Sequence, residues 1–398
     1  MRKRIVIFAL SAIIAAAGFG ACGPIKNLVE VVDMMTQDLP TASDTLTTLV
    51  EVSRAMEDAM KRGETEITFN ATGISEDEIR GIGLNMSTFW GAPVRYSINN
   101  EFKGIEGIIP GKAVDVKNVT SVFELSNNFF VYDYIKNNNP IPLERSRAKE
   151  IADILPSIAA EIFSDPGATD YENALAAHDW LVAKIEYDEN SPGLSEKNGS
   201  YGAFVLKETM CVGYSEALEL LLRCYTETEA IQIVGEASNP NRLNAAGDTD
   251  GQGNDWGGHA WNAVKIDGNW YHIDVTFNDP IGDTSDQISH FYFGQNDEVM
   301  SKNHRWDADY FPAANAENFL YFRQSGKFME DWDSFVAAFT GILAEQQVGY
   351  IEMAIKGATI NEKNIQFAYK VRRNLDEIWW RSQSWEDVNI VTIELLYR

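Results

Sequence analysis

Cysteine is scarce in this chain, with three residues in 398, at Cys22, Cys211 and Cys224. So few thiols exclude a disulfide-stapled scaffold, and no pair shows the CxxC spacing of a structural zinc site. Histidine is nearly as sparse. His178, His259, His272, His290 and His304 are the whole set, and none falls in an HExxH pattern. No metal and no cofactor is therefore expected. Positive charge is also short: 33 basic residues against 59 acidic ones give 33 − 59 = −26. That balance argues against nucleic acid or anionic lipid as partners and reads first as a source of solubility. The apolar run from Ile5 to Phe19 is too short and too rich in alanine to span a membrane comfortably. The sequence does not fix an oligomeric state.

What is present begins with that N-terminus. Met1-Arg2-Lys3-Arg4, a short apolar core and small residues have the form of a secretion signal. Gly20-Ala21-Cys22 resembles a bacterial lipoprotein cleavage site, which implies a signal peptide over 1–22, lipid attachment at Cys22 and an extracytoplasmic, membrane-anchored protein. Two thiols then remain. Cys211 and Cys224 lie 13 residues apart on one expected helix, a separation of about 20 Å and far beyond disulfide reach. Cys224 falls on the apolar stripe of that helix and reads as an inert core residue. Cys211 reads as a free thiol, and a free thiol in an exported protein points to chemistry.

The residues able to supply that chemistry lie between Met210 and Asp279. After Cys211, Leu218, Leu221, Leu222 and Tyr225 recur at helical spacing, predicting a helix with one buried face. Cys211 sits at its first turn, where unpaired N–H groups and the helix dipole favour a thiolate. A nucleophilic thiol needs an imidazole to take its proton and a third group to hold that imidazole. Two β-rich runs, His259–Ile266 and Trp270–Phe277, flank Asp267-Gly268, a strong hairpin signal. A two-residue turn pairs Ile266 with Asn269, sets His259 opposite Thr276 and puts Asp274 on the same face.

Cys-Val-Gly-Tyr-Ser at 211–215, Gly-His-Ala-Trp-Asn at 258–262 and Trp-Tyr-His-Ile-Asp-Val-Thr-Phe at 270–277 resemble the bacterial transglutaminase-like superfamily. The likeness runs from His178-Asp179-Trp180-Leu181 to His304-Arg305-Trp306. It implies an α+β fold with a papain-like transglutaminase core, and Cys211, His259 and Asp274 as nucleophile, base and orienter. It also implies acyl transfer on peptide or glutamine amides. A cysteine protease or amide hydrolase is the first reading, a cross-linking transglutaminase the second, and a non-catalytic surface protein binding peptide or wall polymer the third. The backbone N–H of Cys211 is the expected oxyanion donor. Papain-like enzymes often add an upstream Gln, which is missing here, leaving Asn198 or Tyr201 as second donors. Tyr201 and Trp261 are expected to line the substrate cleft.

Around the core, 139–322, the chain divides into a tether, 23–45, and two small α/β modules, 46–138 and 323–398. The modules carry an internal repeat. Gly63–Ile79 aligns without gaps with Gly349–Ile365, and the helices expected at Leu46–Met60 and Trp332–Ala344 fall in step. Further strands are expected at Ser121–Ile135 and Val388–Tyr397. Leu143–Phe163, interrupted by Pro156, and Tyr171–Ile185 read as helices, and Ala237–Gly257 as a long polar loop. Asp248–Asp255 resembles a calcium loop but has His259 where an EF-hand needs Glu, so it reads as solvated. His272 is expected to be structural at the edge of the site. His178, His290 and His304 are expected to pack with Trp180 and Trp306.

Overall fold

The computed structural model describes residues 45–48, 51–52, 55–56, 59, 66–74, 96–102, 114–188, 197–238, 248–249, 255–279, 287–308, 311–345, 348–385 and 387–397. The expected signal, Cys22, almost all of the tether and residues 250–254 of the candidate calcium loop lie outside the described residues. Among the described residues no helix is long and apolar enough to cross a membrane.

The N-terminal sheet comprises β1 (Thr45–Leu46), β2 (Glu66–Ile74), β3 (Tyr96–Phe102) and β4 (Val114–Leu125), in the order β1-β2-β4-β3. Ile67, Phe69 and Ala71 alternate with exposed or half-buried neighbours along β2 and are buried, as are the helical residues Val52, Met56 and Ala59. Thr45 and Leu46, placed by the sequence at the junction of tether and helix, instead pair in parallel with Asn70 and Ala71.

Strand β4 stops at Leu125, and the rest of the expected strand to Ile135 is helical, in α1 (Asn127–Asn137). Its residues favour β structure, but Ser126 takes the N-cap position, Asn138 ends the helix at φ 58°, and Val131 is buried in the main core. Packing on the core and the C-terminal cap, where Asn138 N–H donates to Tyr134 O, override propensity here. Helix α2 (Ser146–Ile162) runs through Pro156 without interruption. The proline lies on the exposed side, while Ile151, Leu155 and Ile158 are buried. Helix α3 (Asp170–Lys184) opens on a capping box, in which Thr169 Oγ1 accepts from Glu172 N–H and Glu172 returns a bond to Thr169 N–H.

Two short parallel strands, β5 (Glu186–Tyr187) and β6 (Glu208–Thr209), lead into α4 (Cys211–Tyr225). The sequence predicted one buried face for α4, yet 12 of its 15 residues are buried. It packs against α1 and α3 on one side and the central sheet on the other, and a helix enclosed on nearly all sides is the centre of a core.

That sheet is antiparallel, in the order β11-β10-β9-β7-β12, from β7 (Ala230–Ser238), β8 (Asp248–Thr249), β9 (Asp255–Ile266), β10 (Asn269–Ile273), β11 (Phe293–Gln295) and β12 (His304–Arg305), with β8 beside β9. The expected loop from Ala237 to Gly257 is thus partly strand. Ladder bonds carry β7 to Ser238 and begin β9 at Asp255. Short helices α5 (Val275–Asn278), α6 (Asp297–Met300) and α7 (Leu320–Gln324) complete the core.

The C-terminal sheet is β13 (Phe328–Met329), β14 (Tyr350–Lys356), β15 (Leu375–Trp385) and β16 (Val388–Tyr397), in the order β13-β14-β16-β15, with α8 (Trp332–Glu345) on one face. Ile351, Met353 and Ile355 pack with Phe335, Phe339 and Leu343 of α8. Ala354 and Glu352 project the other way, Ala354 into the main core and Glu352 onto His290. The two outer sheets share strand order and direction, each with one parallel pair and two antiparallel pairs. The gap-free alignment is nevertheless two residues out. Leu46 pairs with Ala71 where Met329 pairs with Ile355, so Phe69 corresponds to Met353 and not to Ile355.

Candidate active site

Helix α4 begins at Cys211, after Met210 in extended conformation. Gly213 and Tyr214 donate their N–H groups to Met210 O, at 2.9 and 3.2 Å. The Cys211 N–H lies at the end of the helix, where no helix carbonyl reaches it. Gly213 is required by contact, because a Cβ there would run into Thr209 Oγ1 and lie 2.6 Å from Gly199 O. The segment 197–200 therefore packs on the first turn, held also by Ser200 N–H donating to Glu216 Oε2 at 2.6 Å. Two amides from facing strand positions, Gln232 and Asn262, tie the same turn to the sheet. Asn262 Nδ2 donates to Ser215 O at 2.9 Å, and Gln232 Nε2 donates to Ser215 Oγ. They fix the thiol's helix over the strand that carries His259.

The hairpin has the register a two-residue turn requires, Ile266 opposite Asn269, with Asp267 at φ 50° and Gly268 at φ 82°. The expected pairing of His259 with Thr276 does not occur. Strand β10 ends at Ile273 and His259 pairs with Gly235 of β7. Asp274 instead caps α5, its Oδ1 accepting from Phe277 N–H at 3.0 Å. Its Oδ2 accepts from His259 Nε2 at 2.7 Å, so the other ring nitrogen is the one that meets Cys211, whose thiol is hydrogen-bonded to His259 and to Ala260 N–H.

All three groups are buried. Burial pushes the Cys211 thiol up, but the bond and charge of His259 and the Ala260 N–H outweigh it, and the thiol is held below its ordinary range. Burial likewise works against the imidazolium of His259. The charge of Asp274 and the bonds to Asp274 and Cys211 reverse this and raise it to about 10. Asp274 resists its own burial because His259 and His304 donate to it, which keeps it far below the usual carboxylate range. The arrangement favours a thiolate–imidazolium pair backed by a carboxylate.

Three histidines turn out differently from a packing role. His304 Nε2 lies 3.0 Å from Asp274 Oδ2, the oxygen that also serves His259. His178 Nδ1 donates to Asp179 Oδ1 at 2.8 Å. His290 sits between two carboxylates, with Nε2 3.0 Å from Asp179 Oδ1 and Nδ1 3.0 Å from Glu352 Oε2, and stacks on Tyr321 at 3.7 Å. Both its nitrogens face acceptors, so the ring is charged; its pKa is raised despite burial because both carboxylates bond to it. Trp180 is covered by Lys207, not by His178. The pairings of His304 with Asp274 and of His290 with Glu352 and Asp179 join residues 30 to 111 positions apart, and no local spacing signals them. His272 has a structural setting, donating to Asp297 at 2.8 Å and accepting from Trp261 Nε1 at 3.0 Å.

The two expected cleft residues are differently placed. Trp261 is 1% exposed and packs among His272, His304 and Trp306, so it supports the site from behind. Tyr201 donates its hydroxyl to Glu150 at 3.0 Å, with Arg147 over its ring, which turns it toward α2. Asn198 remains beside the first turn of α4, on the packed segment 197–200.

Among the described residues, His178, Asp179 and His290, and His259, Asp274 and His304, bring three potential metal ligand atoms within 4.8 Å of one another. The hydrogen bonds do not suit a ligand set. Tyr292 N–H donates to Asn278 Oδ1, which turns the Asn278 NH2 onto His178 Nε2 and puts that ring's proton on Nδ1, facing Asp179. In the second group one oxygen of Asp274 already accepts from both imidazoles.

Residues 157–275 match the model of the transglutaminase-like superfamily, and Cys211, His259 and Asp274 all fall inside that match. No curated protein matches the chain. Among solved structures it is similar to a TGase, at 14% identity and a TM-score of 0.25 over 58% of this chain and 59% of that one. It is similar to a proposed cysteine protease from Cytophaga hutchinsonii, at 16% identity and a TM-score of 0.24, over 53% of this chain and 72% of that one. It is also similar to the periplasmic domain of TgpA from Pseudomonas aeruginosa bound to ethylmercury, at 15% identity and a TM-score of 0.22, over 42% and 58%. The chain spans under two thirds of the first and third of these. It carries a transglutaminase-like core of α+β fold, as its motifs led one to expect.

Proposed function

With a transglutaminase-like core at 157–275 as the premise, we propose that the chain is an exported thiol enzyme acting on peptide or glutamine amides, with hydrolysis as its main reaction. The observation that carries this reading is the chain of contacts from the Cys211 thiol to His259 and on to Asp274 Oδ2 at 2.7 Å. The Cys211 thiolate attacks the amide carbonyl carbon, and the oxygen's developing charge is met by the Cys211 N–H, with Asn198 as the candidate second donor. The His259 imidazolium gives its proton to the leaving amine or ammonia, and a thioester remains on Cys211. Neutral His259 then takes a proton from the incoming acceptor, which attacks the thioester and frees the thiolate. Asp274 stays ionised throughout and holds the imidazole's tautomer.

Water as acceptor gives hydrolysis; a lysine amine gives a cross-link. A peptide bearing both Gln and Lys, incubated with the protein and followed by mass spectrometry and ammonia release, tests the reading. Chain cleavage or deamidation supports hydrolysis, while ammonia release with peptide dimers supports cross-linking. An unmodified peptide, together with a Cys211 that iodoacetamide does not label at neutral pH, would favour a binding protein. The export part of the proposal rests on the basic, apolar and small-residue order before Cys22. Cys22→Ala is expected to release the protein from membranes or leave its precursor uncut, and unchanged membrane association with normal processing would contradict it.

A further inference from the structure

Asp274 is fully buried, and its Oδ2 is bonded to two imidazoles. One belongs to the triad just described. The other, His304, comes from β12 at the far edge of the central sheet and is 1% exposed. A bare ring nitrogen facing a buried carboxylate oxygen would set two acceptors against each other, so His304 carries a proton on Nε2 and donates to Asp274. Its Nδ1 lies 2.8 Å from Asn303 Oδ1, and Asn303 Nδ2 lies 2.6 Å from the Tyr292 hydroxyl. Burial keeps the His304 ring neutral, with its pKa lowered to about 4. The Nδ1 of a neutral ring is a lone pair, so it calls for the Asn303 amide turned end for end, with its NH2 on Nδ1 and its oxygen accepting from Tyr292. The series Tyr292, Asn303, His304, Asp274 then donates in one direction, toward the carboxylate.

We propose that His304 is a positioning residue, holding Asp274 Oδ2 in line with His259 while Asn303 and Tyr292 fix its own tautomer. The inference rests on the triad reading and adds a fourth side chain to it. A carboxylate held only by His259 and the Phe277 N–H can turn about its last side-chain bond and lose alignment with the imidazole. With His304 donating from the opposite side, that turn breaks a buried hydrogen bond. The titratable groups facing this pair are His259 on β9, Cys211 on α4, His272 on β10 and Tyr292 before β11. Of these, His259 and Cys211 report its state directly, because a misaligned Asp274 weakens the imidazolium and so the thiolate.

The test is the pH dependence of iodoacetamide alkylation at Cys211 in the full chain, read by peptide mass spectrometry alongside thermal unfolding. Relative to wild type, His304→Leu is expected to shift the alkylation midpoint up by about one pH unit and to slow labelling near neutrality by roughly tenfold. His304→Gln, whose amide can donate from the place of Nε2, is expected to recover most of the rate. Tyr292→Phe, which removes one hydroxyl and keeps the fold's backbone bonds, is expected to move the midpoint in the same direction by less. A purely structural His304 would lower the unfolding temperature in both His304 variants and leave the midpoint where wild type has it; that result overturns the proposal. A failed His304→Leu fold leaves Tyr292→Phe and His304→Gln to decide, and midpoints unmoved in Tyr292→Phe would then overturn it. A wild-type Cys211 that titrates as an ordinary thiol would overturn the triad reading itself, whereas a depressed wild-type midpoint shared by His304→Leu overturns only the role of His304.

Discussion

The two ends of α4 carry the same residue in nearly the same degree of burial, with Cys211 9% exposed and Cys224 5%. Their chemistry is opposite. Cys224 is pushed up to about 12 by burial, which the charges of Lys136 and Arg223 do not offset. Cys211 suffers the same desolvation yet is held below its ordinary value by His259 and the Ala260 N–H. Burial alone makes a thiol inert, and a buried partner that can carry the opposite charge makes it reactive. The histidines repeat the lesson. His304 shares one carboxylate with another imidazole and is lowered to about 4, while His290, between two carboxylates, is raised.

The largest expected effect is at the reactive end. Cys211→Ala should reduce amide turnover to background, whereas Cys224→Ala should leave turnover intact and cost about 1–2 kcal/mol in denaturant unfolding for the small cavity it leaves. Equal loss in both would end the contrast. Next, Asp274→Asn removes the charge that supports His259. The same change costs a serine triad about four orders of magnitude, and because a thiolate depends less on its base, a fall of roughly 10²–10³-fold in turnover is expected here. Gly213→Ala tests the packing beneath the thiol. Its Cβ would press into Thr209 and Gly199 O, so urea unfolding should show a loss of about 2–3 kcal/mol.

A smaller effect, dependent on pH, is expected at the His290 clamp between the core and β14. His290 has a folded-state pKa above its unfolded one, so its contribution is fully present below about 6.5 and is lost as pH rises through the raised value. Asp179 is held far below the usual carboxylate range, so its contribution is present above that range and is lost in acid. The clamp is therefore strongest between these limits. Glu352→Gln should flatten the alkaline decline in stability, and a wild type whose stability does not fall as pH rises through the raised His290 value would contradict the charged His290.

Much of the site was legible because its parts are local. Asp267-Gly268 fixes a two-residue turn, the helix period follows Cys211, and together they bring a thiol, an imidazole and a carboxylate to neighbouring elements. The departures arise where tertiary contacts decide. Asp274 leaves the strand because an Asp caps the helix that follows it. The aromatic run after Ser126 becomes helical because Val131 has a core to enter. The repeat was visible as a pattern of apolar alternation, and a slip of two residues preserves that alternation, so the sequence had nothing with which to reject it. His304 was out of reach altogether: its bond to Asp274 crosses 30 positions and depends on where β12 joins the sheet.

The most direct test of the central claim is a competition within one molecule, in which Cys211 and Cys224 are alkylated together by iodoacetamide across pH and quantified as separate peptides. Cys211 is expected to label rapidly at neutral pH, with a midpoint below the ordinary thiol range, and Cys224 only on unfolding. Parallel slow labelling of the two, rising together in alkali, would contradict it.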